Sequence, residues 1–140
     1  EELKAFDIKD GLGIKLLNAS NIMVGIITGR TSELVLRRAD ELDIAPVIQG
    51  SKNKLKDVES ICQKYSLTLN QICFIGDDFP DLCAISRVGL GICVANANFR
   101  IHQVAAWCTK ASGGNGAVRE VAELLLASQG KYQSILTQYT

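Results

Sequence analysis

The chain has 140 residues, 47% of them hydrophobic and 21% charged, which is enough apolar material for a core and leaves little reason to expect disorder. Fifteen Lys+Arg balance 15 Asp+Glu, so the chain lacks the electrostatic footprint of a nucleic-acid binder and offers anionic lipid no basic stripe. No apolar run approaches the roughly 18 residues a membrane helix needs, and Glu1-Glu2-Leu3-Lys4 does not read as a signal peptide, so the expectation is a soluble, cytoplasmic protein of one domain.

In chain order, residues 9–20 place Leu12, Leu16 and Leu17 on one face and predict a helix. Residues 22–28 form a continuous apolar run, as expected of a strand buried on both faces. Thr31 or Ser32 then caps a helix to about Leu42. Residues 46–49 predict a second strand and 54–65 a helix with Leu55, Val58, Ile61, Cys62 and Tyr65 at helical spacing. Residues 72–76 are the third strand, 81–88 a short helix, 91–95 the fourth strand, 98–106 a helix and 107–110 a short fifth strand. After glycines 113, 114 and 116 comes a last helix over 117–128. This alternation predicts an α/β domain over residues 1–128, a Rossmann-like parallel sheet with helices on both faces. The polar tail 129–140, with Tyr132, Ile135, Leu136 and Tyr139, reads as a frayed end or as an arm on a neighbouring subunit.

The five cysteines, at 62, 73, 83, 93 and 108, are scattered, form no Cys-x-x-Cys pair and share the chain with one histidine, His102. Buried free thiols are expected, and no zinc site. His102, beside Ile101 and Val104, reads as structural.

In an open parallel sheet ligands bind beyond the carboxyl ends of the strands. Thr28-Gly29-Arg30 follows the first strand, Gly50-Ser51-Lys52-Asn53-Lys54 the second, and Gly76-Asp77-Asp78-Phe79-Pro80-Asp81 the third. Three carboxylates within five residues repel one another unless a cation sits among them, and an oxygen-rich site beside a phosphate suits Mg²⁺. One such aspartate is an ordinary helix cap; the cluster points to metal. Thr28 and the Gly29 amide suit a phosphoryl oxygen, although either also fits an ordinary turn, and Lys54 suits a phosphate as a point charge.

The order Thr28-Gly29-Arg30, Lys54 and Gly76-Asp77-Asp78-x-x-Asp81 resembles motifs II, III and IV of the haloacid dehalogenase superfamily of Mg²⁺-dependent phosphatases. With residues 9–17, 26–30, 49–50, 53–55 and 113–120, it is similar to the small cap-less branch, the 3-deoxy-D-manno-octulosonate 8-phosphate phosphatases. The resemblance implies two-step phosphoryl transfer through an aspartyl-phosphate. In it Thr28 and Gly29 bind the phosphoryl group and Lys54 bridges phosphate and nucleophile. Asp77 ligates Mg²⁺, with Asp78 and Asp81 as further ligands or supports. Arg30 leans toward the eight-carbon substrate rather than a nine-carbon sugar acid, and Arg38 is a candidate for the sugar carboxylate; Arg37 and Arg38 read equally as solvated helix residues. The resemblance also implies a homotetramer on the route to lipopolysaccharide. Glycines 113–116 suit an anion at a helix start, and Arg119 a phosphate or subunit contact.

The family's first motif, Asp-x-Asp-Gly, does not occur in these residues. Phe6-Asp7-Ile8-Lys9-Asp10-Gly11 has the wrong spacing and too short an apolar lead, so Asp7 is rejected as the nucleophile. The expectation is that an N-terminal strand and hairpin precede Glu1 and carry the nucleophile; a non-catalytic oligomerisation module of the same fold is the competing reading.

Overall fold

The computed structural model describes residues 8–140, so Asp7, rejected above as the nucleophile, lies outside the described residues. In chain order the elements are α1 (Ile8–Ala19), β1 (Ile26–Ile27), α2 (Glu33–Glu41), β2 (Val47–Ile48), α3 (Lys54–Tyr65), β3 (Cys73–Gly76), α4 (Leu82–Arg87), β4 (Leu90–Cys93), α5 (Phe99–Val104), β5 (Trp107–Cys108), α6 (Ala117–Ser128) and α7 (Tyr132–Gln138). One-turn 3₁₀ segments at Leu69–Gln71 and Phe79–Asp81 lead into β3 and α4.

All strand pairings among the described residues are parallel. Strands β1 and β2 form one sheet and β3-β4-β5 another, with Ile26 opposite Val47, Cys73 opposite Leu90 and Cys93 opposite Cys108. Successive residues of a strand face opposite ways, and the core follows that rule. Ile26 and Val47 pack with Ile14, Ala39, Leu42 and Ile44, whereas Ile27 packs with Val58, Cys62 and Ala84. Helices therefore cover both faces, as expected of α/β crossovers. The long apolar run at 22–28 pairs as a strand only at Ile26–Ile27, while Ile22 and Val24 still pack into the clusters around Leu17 and Ile14.

Local chemistry sets the helix boundaries. Ser32 caps α2 by accepting the Val35 N–H at 3.3 Å, and Asn53 caps α3 by accepting that of Lys56 at 3.0 Å. Helix α6 starts after Gly116, which has no side chain to cap it. The cap comes instead from α1, where fully buried Asp10 accepts the Arg119 N–H at 2.9 Å. A carboxylate against the positive end of α6 is a favourable charge–dipole contact that ties two helices 109 residues apart.

The tail does not fray. Residues 132–138 form α7, whose Ile135 joins Leu17, Ala122 and Leu126 in a buried cluster. Tyr132 donates to Glu123 at 2.7 Å and Lys131 to the Ser20 carbonyl at 2.7 Å, so the segment docks on α1 and α6 of its own chain. The spacing Tyr132, Ile135, Leu136, Tyr139 is helical, and the polar residues between mask it.

The cysteines also depart from expectation. Cys62, Cys73 and Cys83 are free, but Cys93 and Cys108 are joined in a disulfide, because parallel pairing of β4 and β5 sets them directly opposite. A separation of 15 residues carries no hint of that register.

Leu126 is fully buried, so Leu126→Ala is expected to cost about 2–5 kcal/mol, whereas Leu36→Ala, at a residue 48% exposed, stays within about 0.5 kcal/mol. Urea unfolding of both variants checks this.

Candidate active site

The site is built where β1, β2 and β3 end. Strand β3 stops at Gly76, and the chain then turns through Asp77 and Asp78 into the 3₁₀ turn Phe79–Asp81. Asp78 starts that turn by accepting the Phe79 N–H on Oδ1 at 2.8 Å, and Pro80 suits a first turn, where no intrahelical donor is needed. Asp81, 4% exposed, folds back beneath the loop: its Oδ2 accepts the N–H of Asp77 at 2.8 Å and that of Asp78 at 3.2 Å. The fold-back needs glycine at position 76, since a Cβ there would lie 2.6 Å from Asp81 Cγ.

The other oxygen of Asp81, Oδ1, accepts from Lys54 Nζ at 2.6 Å. Lys54 is the first residue of α3, so the Asn53 cap that starts the helix also aims the ammonium at the acidic loop. Both Asp81 oxygens are thus committed. Asp81 holds Lys54 and the loop backbone, while the Asp77 carboxylate faces the cavity. The Asp77 carbonyl accepts the Asn98 N–H at 2.7 Å, which ties the acidic loop to the start of α5.

Lys54, Asp77, Asp81, Gly76 and Gly113, with apolar walls from Ile27, Ile75 and Val94, line a cavity of about 200 Å³ between the two sheets. Lys54 also lines an adjoining cavity of about 350 Å³ with Gly29, Ser51, Lys52, Asn53 and Pro80. Lys54 is common to the linings of both.

The loop after β1 is pinned to the loop after β2. The Thr28 carbonyl accepts the Ser51 N–H at 3.0 Å and the Arg30 carbonyl accepts that of Gly50 at 3.0 Å, the second bond using the left-handed conformation of Gly50 (φ +65°). Thr28 Oγ1 accepts the Arg30 N–H at 3.1 Å, which leaves the hydroxyl proton to donate elsewhere. Arg30 is on the exposed side of this loop. Arg38 lies elsewhere: its guanidinium is 3.4 Å from Glu41 and packs over Gly11 of α1, and it lines neither cavity. Arg119 pairs with Glu123 at 2.9 Å along α6.

Burial above all, and then the neighbouring Asp81 carboxylate, push the Asp77 carboxyl above the usual carboxylate range; Asp78 adds to this and Lys54 opposes it. One lysine does not balance three aspartates. The donor set therefore suits a hard divalent cation, which Asp77 on the cavity wall could hold, while Asp78 is exposed in the same loop and lines neither cavity.

Of the residues singled out in the sequence, the fold brings Lys54, Asp77 and Asp81 to one cavity, with Asp78 in the same loop. Sequence reading misses Asn98, whose backbone clamps the acidic loop, and the apolar walls; Asn98 signals itself only as a helix-cap type before an apolar run.

A hydroxyl-bearing loop, a half-buried lysine and neighbouring carboxylates stand at the carboxyl ends of parallel strands, an arrangement suited to an anion and a cation together. Comparison with known proteins gives the family. A family model for haloacid dehalogenase-like hydrolases matches residues 41–121. The 3-deoxy-D-manno-octulosonate 8-phosphate phosphatase of Salmonella typhi is 43% identical over 131 residues, 94% of this chain and 70% of that protein. The crystal structure of the Moraxella catarrhalis 3-deoxy-D-manno-octulosonate 8-phosphate phosphatase, with magnesium, phosphate and the sugar acid bound, superimposes with a TM-score of 0.95 at 41% identity, covering 96% of this chain and 78% of that one. The cobalt-bound Haemophilus influenzae enzyme gives a TM-score of 0.88 at 33% identity over 91% of this chain and 74% of that one. The chain belongs to the haloacid dehalogenase-like hydrolases and, within them, to the 3-deoxy-D-manno-octulosonate 8-phosphate phosphatase family.

Because the folded protein holds a proton on Asp77 more readily than the unfolded chain does, stability of the metal-free protein falls as pH rises through that carboxyl. Asp77→Asn is expected to raise the melting temperature of metal-free protein at pH 7, with the gain shrinking toward pH 4, where Asp77 itself takes up a proton. Thermal melts in a chelator at the two pH values check the sign.

Proposed function

We propose that this chain carries out Mg²⁺-dependent hydrolysis of 3-deoxy-D-manno-octulosonate 8-phosphate to the free sugar acid and phosphate, a cytoplasmic step toward lipopolysaccharide. The observation that carries the reading is the Lys54–Asp81 pair seated under the Asp77 carboxylate. Thr28 and the Gly29 amide bind the phosphoryl oxygens from one side, and Lys54 neutralises them from the other. Asp81 fixes the lysine and the loop, so neither has to reorganise as charge shifts. Mg²⁺ on Asp77 and Asp78 supplies Lewis-acid stabilisation of the phosphoryl charge when bound. Arg30, at the mouth, meets the sugar acid. Arg38, turned toward α1, serves it only through a neighbouring copy or a shift of α2.

A homotetramer fits this reading, because large apolar groups surround the open mouth. Phe79 and Phe99 are 62% and 73% exposed and flank Asp78 and Asn98, where a neighbour would cover them. Among the described residues no helix is long and apolar enough to cross a membrane.

The competing reading is a non-catalytic oligomerisation module of the same fold. A phosphate-release assay separates the two. The phosphatase reading expects Mg²⁺-dependent release from 3-deoxy-D-manno-octulosonate 8-phosphate, reduced about 10²-fold or more by Asp77→Ala. Full activity in that variant removes the metal assignment, and faster turnover of a nine-carbon 9-phosphate removes the eight-carbon preference. No release by the unaltered protein supports the module.

A further inference from the structure

Beside the acidic loop, where Cys93 stands opposite Gly76, two sulfurs and an imidazole converge that the phosphatase chemistry does not use. Cys93 ends β4, Cys108 ends β5, and His102 lies on α5, the crossover between them. The parallel register places the two cysteines opposite each other, and the return of α5 over the sheet brings His102 Nδ1 to 3.4 Å from Cys93 Sγ and 3.3 Å from Cys108 Sγ. All three donor atoms lie within 4.8 Å of one another.

We propose that the reduced form of this triad binds one soft divalent cation of the Zn²⁺ type, with two thiolates and one imidazole as ligands. The distances favour it. With Zn–S of about 2.3 Å and Zn–N of about 2.0 Å, tetrahedral geometry separates a sulfur from a nitrogen ligand by about 3.5 Å, and His102 Nδ1 already stands at that range from both sulfurs. Thiolate and imidazole select Zn²⁺ or Co²⁺ over Mg²⁺, so the triad and the carboxylate loop sort their ions by donor softness. The surroundings suit a closed inner side and an open outer one. Cys93 is fully buried among Ile85, Ile101 and Ala105, Cys108 is half-buried, and His102 is exposed, which leaves the fourth position to solvent.

The disulfide and the ion use the same sulfur electrons, so they exclude each other. Two equivalents of a small thiol reduce the Cys93–Cys108 bond, giving two cysteine thiols and one equivalent of the small disulfide. The cation then displaces two thiol protons and binds two thiolates and neutral His102, so that the first shell carries no net charge. The sequence hides this site because its ligands are spaced 9 and 6 residues apart along a strand–helix–strand crossover rather than in a Cys-x-x-Cys loop.

The test uses protein reduced with a phosphine, desalted without oxygen and titrated with Co²⁺ in excess Mg²⁺, which occupies the carboxylate loop. One equivalent of Co²⁺ is expected to give thiolate-to-cobalt charge-transfer absorption in the near ultraviolet, and Zn²⁺ should displace it stoichiometrically. The band should persist in Asp77→Ala, disappear in Cys108→Ser, and require at least about tenfold more metal in His102→Ala, whose exposed side chain is not needed for folding. Absence of the band in fully reduced protein overturns the proposal, as does a band that follows Asp77 instead of Cys108. A reduced protein whose Zn²⁺ content is unchanged in Cys108→Ser overturns it equally.

Discussion

The ion pair between Lys54 and Asp81 is the contact on which the rest of the site depends. A buried carboxylate is costly unless it is paired and hydrogen-bonded, and both Asp81 oxygens accept, Oδ1 from one ammonium and Oδ2 from two backbone N–H groups. Those three bonds fix the start of α3, the turn after β3 and the direction of Asp77. They also explain the glycine at the end of β3, whose missing side chain makes room for Asp81. Because the pair is formed without any ligand, an anion entering the cavity would meet a lysine already placed, a form of electrostatic preorganisation.

The remaining helices hold this arrangement in register. Asp10 joins α1 to the start of α6, and Glu120 of α6 accepts the N–H groups of Lys110 and Ala111 at 3.0 Å. The Gly113 N–H in turn donates to Asn96 at 2.9 Å beside the cavity. The glycine-rich loop at 113–116 is therefore positioned through α6, and α7 secures that helix from behind through Ile135 and Tyr132. A residue as remote as Asp10 is linked to the cavity rim through backbone contacts, not through any chemistry of its own.

Much of this was legible in the sequence because the relevant signals are local. Helix α3 begins at Lys54 as read, since an Asn cap and five apolar residues at helical spacing leave little choice. The acidic loop was legible because three carboxylates behind an apolar strand have few stable purposes. What escaped was non-local. Helix α7 hides its apolar stripe among polar residues, and only docking on Leu17 and Leu126 makes it worth forming. The Cys93–Cys108 pair depends on strand register, and Arg38 depends on the direction its helix presents, which spacing alone does not give. Asp81 read as a ligand or a support; its bonds to Lys54 and to the loop backbone could not be read from spacing, because they form only when the loop after β3 folds back.

A double-mutant cycle on Lys54→Met and Asp81→Asn, measured by urea unfolding in a chelator, tests the central claim most directly. If the pair organises the site, Lys54→Met alone leaves a buried, uncompensated carboxylate and costs about 3–5 kcal/mol, while adding Asp81→Asn recovers at least about 1 kcal/mol relative to the sum of the single changes. Costs that add to within about 0.5 kcal/mol would show that the two side chains are neighbours without coupling, and would contradict the account.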